Sequence, residues 1–361
     1  MSRVKDRDYL ALTAMLRARE AKMLDRDRME RMLSAADFAD AAKLLADCGY
    51  EDLSAMNASQ LDAALNARKK AIYEEIGHMC PETSLVDVFR LKYDYHNAKV
   101  LVKAGALGAG ADGTAAATTT AAGGAAGGMA GTAGGAAGAG QRLLSQLGRV
   151  PAGKLADAVA EARYSEVPEV LAGAIQEAQV VLAKTGNSQA AEFILDRAYH
   201  KELKILAEKQ DSTYLKGYVK VLIDAANLGA AVRTVRMKKG VDFLMTALFE
   251  GGNASARAVA DAAMNGDALL VLFQATPLED AAALGVDAMK GGSMTKFELA
   301  CDDAVTSYLS RAKMVSFGSE AVVAYLARLE SEITAIRMIL TGRMAGINPA
   351  VIRERLRDLN G

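Results

Sequence analysis

FRLKYDYHNAKVLVKA, residues 89–104, packs aromatic, acidic, amide and basic side chains into one short run. On a helix turning about 100° per residue, Phe89, Tyr93, Val100 and Ala104 form one apolar stripe. Leu91, Tyr95, Ala98 and Val102 form a second stripe nearly opposite. Between them, Asp87, Arg90, Asp94 and Asn97 occupy one flank, and Lys92, His96, Lys99 and Lys103 the other. Two stripes predict a helix sandwiched between neighbours. Arg90 and Asp94, at i and i+4, are then expected as a partly buried, hydrogen-bonded ion pair. The basic flank is left for solvent or a partner, which makes Lys92, His96, Lys99 and Lys103 candidate interface residues.

The same grammar recurs down the chain. YVKVLIDAANLGAAVRTV carries Lys220 four residues before Asp224, with Asn227 three further on. AYLARLESEITAIRMIL carries Arg328 four residues before Glu332, with Ala335 in the place of the asparagine. Each copy leaves through a basic, glycine-ended exit: KAG, RMKKG and GRMAG. Shorter echoes precede them, such as Asp196 and Tyr199 in EFILDRAY beside Asp302 and Tyr308 in FELACDDAVTSY. This pattern predicts a triplicated helical unit, with residues 1–104 as the N-terminal helix and first repeat, 141–240 as the second and 241–361 as the third.

Residues 105–140 differ sharply from their surroundings. They are almost all Gly, Ala and Thr, with Asp112 as the single charge. Such a segment buries too little apolar surface to offset the ordering of its glycines, so a disordered insert is expected there. Elsewhere helical spacing dominates. Residues 1–33 read as one long amphipathic helix, and 34–53 as a helix started by Ser34 and interrupted at Gly49. Further helices are expected over 57–76, after Pro81, over 191–209, over 214–240, and in the C-terminal third. No period-two alternation is found, so the fold class is all-α.

Composition narrows the function. Lys plus Arg number 43 and Asp plus Glu 44, which argues against a nucleic-acid binder held by a basic surface. Three distant cysteines and no CxxC support neither a disulfide framework nor a zinc knuckle, and His78-x-Cys80 lacks a second ligand pair. No P-loop is present, so no direct ATP binding is expected. No serine triad stands out, Asp302-Asp303 reads as helix surface, and His200 reads as solvated. No cofactor, metal or catalytic residue is expected. With no secretory h-region and no long apolar run, the chain is expected to be cytoplasmic and without a transmembrane segment.

These residues resemble the C subunit of the V-type (vacuolar/archaeal-type) ATPases and ATP synthases, a family that includes the d subunit of the eukaryotic V-ATPase. FRLKYDYHNAKVLVKA carries the likeness most directly, supported by RAREAKML, LLADCGY, LIDAANLGAAVRTVRMKKG and EITAIRMILTGRMAGI. The insert and Ala335 depart from the family pattern. The resemblance implies a funnel-shaped bundle of three pseudo-repeated helical units and a non-catalytic central-stalk role. Its implied partners are the D and F subunits of the axle and the proteolipid ring of the membrane sector. The implied job is coupling rotation to transport of a hydrogen ion or sodium, from a peripheral position on the membrane. A different class, an α-helical repeat adaptor for proteins or peptides, is the alternative.

Overall fold

The computed structural model describes residues 4–108, 143–210 and 212–357. Every regular element among them is helical. Most starts are set by a short polar side chain that accepts a free N–H of the first turn. After a 3-10 turn at Asp6–Tyr9, α1 spans Leu10–Glu20 and α2 spans Arg26–Ser34, capped by Asp25. α3 (Phe38–Lys43) is capped by Asp37, and α4 (Ala58–Met79) by an Asn57–Gln60 capping box. α5 runs Ser84–Gly108. Then come α6 (Ala152–Ala160), α7 (Glu169–Thr185), α8 (Ser188–Lys209) and α9 (Thr213–Arg236). α10 (Val241–Ala247), α11 (Ala256–Ala263), α12 (Gly266–Phe273) and α13 (Glu279–Met289) are short. α14 (Met294–Ser310), α15 (Ser319–Met344) and α16 (Pro349–Arg353) complete the order.

By contact the chain forms two compact units, one of Met1–Val86 with Ala207–Gly361 and one of Asp87–Leu206. In the second, α5 packs against α8 with antiparallel register. Lys99 bonds Asp196 at 2.5 Å, Lys103 bonds Glu192, and Tyr95 meets the edge of Tyr199. In the first unit, α15 pairs with α4, where Arg337 bonds Asp62 at 2.6 Å and Tyr73 donates to Glu330. α9 lies against α14, tied by Arg233–Glu298 at 3.0 Å and Tyr214–Leu309 at 2.8 Å. The apolar core around α9 includes Val232, Leu244, Val259, Phe273 and Phe297, all essentially sealed from solvent. Leu and Ala fill these helix interfaces because aromatic residues are scarce and tryptophan is absent.

Three expectations are corrected. The long helix over 1–33 is broken at residues 21–25, where the backbone leaves the helix and Asp25 caps α2. Ser34 is the last residue of α2, and Asp37 starts the next helix. The insert was expected from residue 105, yet α5 continues through Gly108. The rest of that insert falls on residues outside the described ones.

Candidate functional site

The three longest helices, α5, α9 and α15, each bury one carboxylate, at Asp94, Asp224 and Glu332. A carboxylate sealed from water must be hydrogen-bonded or neutralised. Here each one fastens a neighbouring loop by its backbone.

Asp94 accepts the N–H of Val150 at 3.1 Å and the Nε of Arg149 at 2.7 Å. Arg149 also donates to Glu202 at 2.8 Å, and Tyr95 donates to the other oxygen of Glu202. Burial pushes the Asp94 carboxyl up, and the Arg149 guanidinium pulls against it. For Arg149, burial opposes the charge but the two carboxylates outweigh it and hold the guanidinium protonated. One turn along α5, Asn97 grips Ser145 twice, donating to its carbonyl at 2.9 Å and accepting its N–H at 2.7 Å.

α9 repeats this. Asp224 accepts the N–H groups of Asn253 and Ala254 at 3.0 and 3.1 Å, and the Asn253 side chain at 2.8 Å. Asn227 grips Phe249 twice, both bonds at 2.8 Å. Ser145 precedes Val150 by the same five residues that separate Phe249 from Ala254. A Cβ on Gly148 would run into the Asp94 carboxylate, and one on Gly252 into that of Asp224. Glycine at these two positions lets the loop backbone approach the acid.

α15 keeps the acid and loses the amide. Glu332 accepts the N–H of Leu24 at 2.7 Å and the hydroxyl of Tyr50 at 3.1 Å. Ala335 stands where Asn97 and Asn227 stand. The captured residues Val150, Ala254 and Leu24 are each followed by the N-cap of a short helix: Pro151 before α6, Ser255 before α11 and Asp25 before α2. The break in the expected N-terminal helix is therefore the third anchored loop. Burial raises the carboxyls of Asp224 and Glu332 as well.

The arrangement holds backbone; nothing in it presents a nucleophile to a substrate. A hollow of about 370 Å³ beside the first anchor is lined by Asp87, Arg149, Lys154 and Glu166. Both of its cations are bonded to carboxylates, Lys154 to Glu166 at 3.0 Å. Among the described residues, no group of three or more His, Cys, Asp or Glu is placed to hold a metal ion. Nor is any helix there long and apolar enough to cross a membrane.

The sequence profile of the ATP synthase (C/AC39) subunit family matches residues 12–355, through all three anchors. The chain belongs to this family. Two relatives cover it almost end to end. The C subunit of the V-type sodium ATPase of Enterococcus hirae is 20% identical over 98% of this chain and 99% of its own length. The C subunit of the A-type ATP synthase of Methanocaldococcus jannaschii is 22% identical over 97% of this chain and 86% of its own.

Within this C/AC39 chain the residues singled out from the sequence are placed as follows. Asp94, Asn97, Asp224, Asn227 and Glu332 are the buried acceptors and amides just described. The cations expected to pair with the acids at i−4 do other work. Arg90 donates to the carbonyls of Leu147 at 3.2 Å and Gly148 at 2.6 Å, and so braces the same loop from outside. Lys220 and Arg328 act on their acids through space only. The physical reason differs between the acids: at Asp224 and Glu332 a backbone N–H reaches the enclosed carboxylate without carrying a long, hydrated head group inside, and at Asp94 the cation that enters is Arg149 of the loop.

The candidate interface residues on the opposite flank of α5 have contacts within the chain, with His96 and Lys103 still exposed. Lys99 and Lys103 are engaged by Asp196 and Glu192 of α8, and His96 lies 3.2 Å from the Leu143 carbonyl. Lys92 sits over the Tyr93 ring, 5.2 Å from its centre. His200 was expected to be solvated, but its Nδ1 lies 2.8 Å from the Asp196 carbonyl and burial pushes its pKa down to about 4. Asp302 is not plain helix surface either, since it bonds Arg357 at 2.7 Å. Sequence reasoning missed Arg149, Glu202, Asn253 and Tyr50. The one available signal was the glycine three residues after Ser145 and again three after Phe249.

Proposed function

We propose that this chain is the non-catalytic central-stalk subunit of a rotary V- or A-type ATPase or ATP synthase. In this reading it stands between the axle formed by the D and F subunits and the proteolipid ring, peripheral to the membrane on the cytoplasmic side. It transmits torque and binds no nucleotide itself. The observation that carries the reading is the family match from residue 12 to 355, together with two relatives of matching extent, each named as the C subunit of such a machine. The anchors supply a physical reason why the part suits the job. A torque coupler must not yield, and loops tied through buried carboxylates by two or more directed bonds have no free hinge. We further propose that the chain is three pseudo-repeated units, each organised by one anchor.

The test is to remove this subunit from the assembled complex and add the purified chain back. The depleted complex is expected to hydrolyse ATP without driving ion uptake into vesicles, and the added chain to restore the uptake. Ion pumping that survives full depletion would overturn the proposal. Turnover by the isolated chain would replace it with an enzymatic reading.

A further inference from the structure

The helices α9 and α15 end in the same way, and their ends can be compared atom by atom. At the end of α15, Gly346 takes the left-handed conformation at φ 66°, and the N–H of Ile347 bonds back to the carbonyl of Gly342 at 2.9 Å. At the end of α9, Lys239 bonds back to Thr234 at 3.0 Å in the same pattern, and the left-handed position is Lys238 at φ 56°. Lys238 and Gly346 occupy the same place, 14 residues past Asp224 and Glu332. Gly108 falls at that distance from Asp94. Glycine takes this conformation without strain, and a lysine there works against its own Cβ. A residue held against its backbone preference is a pointer to function.

The exits also differ in what their cations do. Lys103 at the end of α5 is bonded to Glu192, and Arg343 at the end of α15 donates to the carbonyls of Ala35 and Ala36. At the end of α9, Arg236 bonds the carbonyl of Gly292 at 2.9 Å and lies 3.4 Å from that of Ala288. That grip brings the α13–α14 turn, which carries Lys290, against the exit. Lys238, Lys239 and Lys290 are all exposed, and among the described residues none of them is in an ion pair. Met237, half exposed, adds an apolar contact between them.

We propose that Arg236, Met237, Lys238, Lys239 and Lys290 form a docking surface for the acidic face of a rotor protein present once per complex. This rests on the central-stalk reading. A ring of identical subunits would meet repeated surfaces, whereas at the α15 exit Arg343 is spent on the Ala35 and Ala36 carbonyls and near the end of α5 Lys103 is spent on Glu192; the α9 exit offers exposed cations that no ion pair among the described residues holds. A single acidic partner fits a single basic exit. A fixed backbone and the exposed acids Asp242 and Asp287 at its border favour a shaped protein partner over an anionic bilayer. A bilayer would be repelled by both acids and would gain nothing from the rigid presentation.

The test uses the full chain against two preparations that lack it: the soluble sector with its axle, and membranes holding the proteolipid ring. Binding is measured at low and high salt. K238E/K239E/K290E is expected to bind the axle-bearing sector about tenfold more weakly than wild type at low salt, with the difference shrinking at high salt. Binding to the ring membranes should not change. K238G separates folding from docking, because it is expected to raise the unfolding midpoint while weakening the axle contact. Equal affinities and equal salt dependence for wild type and the triple variant would overturn the proposal. So would a loss confined to the ring membranes, or a loss seen only with phosphatidylglycerol vesicles. A wild-type chain that binds neither preparation overturns the central-stalk reading itself, and this surface with it.

Discussion

At Asp94 a loop is held by a guanidinium at 2.7 Å, a backbone N–H at 3.1 Å and an asparagine that bonds Ser145 twice. At Glu332 the counterpart is held by one N–H at 2.7 Å and one tyrosine hydroxyl at 3.1 Å. The first anchor closes a stretch of chain 56 residues long, and the other joins residues 308 apart. The long-range anchor has the weaker grip, and its surroundings compensate. Arg17 donates to the Ala312 carbonyl at 2.7 Å, Arg353 bonds Glu30 at 2.7 Å, and Arg343 reaches Ala36 at 2.9 Å. Fastening is concentrated in one buried cluster at Asp94 and spread over several partly exposed contacts around Glu332.

The hardest test of this contrast is Asp94→Ala. It leaves the Arg149 guanidinium enclosed with one carboxylate fewer, and should cost about 3–5 kcal/mol in urea unfolding. Asp94→Ala with Arg149→Met should recover only part of that, since it removes the orphan cation but leaves buried Glu202 with the Tyr95 hydroxyl and without the guanidinium. Next comes the amide. Asn227→Ala strands the N–H and carbonyl of Phe249 and should cost about 1–3 kcal/mol. Ala335→Asn should also destabilise by about 1–3 kcal/mol, because Ala335 is buried and the residue five before Leu24, Arg19, lies inside α1, where its N–H is in the helix and not in a loop. A stabilised Ala335→Asn variant would show that the third anchor lacks only its amide.

Glu332 makes a smaller, pH-dependent prediction. Burial raises its folded carboxyl above the unfolded value, with the Leu24 N–H, the Tyr50 hydroxyl, Arg68 and Arg328 opposing. The folded chain therefore keeps this proton to higher pH than the unfolded chain does. The stability it contributes is complete below the ordinary glutamate range and is lost as pH rises through the folded value. Glu332→Gln should lie within about 1 kcal/mol of wild type near neutral pH and flatten this part of the dependence. Urea midpoints taken between mildly acid and neutral pH read it directly, and an unchanged slope would count against it. The smallest effect is expected at Lys103→Ala. Its bond to Glu192 is half exposed, so the loss should stay below about 1 kcal/mol, and less in high salt.

How much of this was legible in the sequence follows from what each contact needs. The acids on α5, α9 and α15 and the amides on α5 and α9 stood out because helical periodicity puts them beside apolar stripes and the same spacing recurs along the chain. Their partners did not, because a carboxylate that accepts main-chain N–H groups asks nothing of the loop side chains beyond a small residue at Gly148 or Gly252. The i,i+4 cation at Arg90 was read as the partner for the same reason: spacing along one helix is visible, and a loop fifty residues away is not. The bonds of Lys99 and Lys103 to Asp196 and Glu192 were not legible, because charge along one helix does not reveal the acids on the helix it packs against. Of the two apolar stripes on α5, Leu91, Tyr95, Ala98 and Val102 are fully buried, whereas Tyr93, Val100 and Ala104 remain partly open. The three basic exits were visible as well, but which of them keeps its cations free depended on contacts no spacing encodes.

The bond from Leu24 to Glu332 has a consequence for biosynthesis. The segment that carries Leu24 finds its acceptor only after another 308 residues have been made, on the order of 15 to 60 s later at ordinary elongation rates. Leu12, Leu16 and Met32, on the helices either side of Leu24, are fully buried in the finished fold. The third anchor therefore closes late in synthesis, long after the first, whose partners are only 56 residues apart.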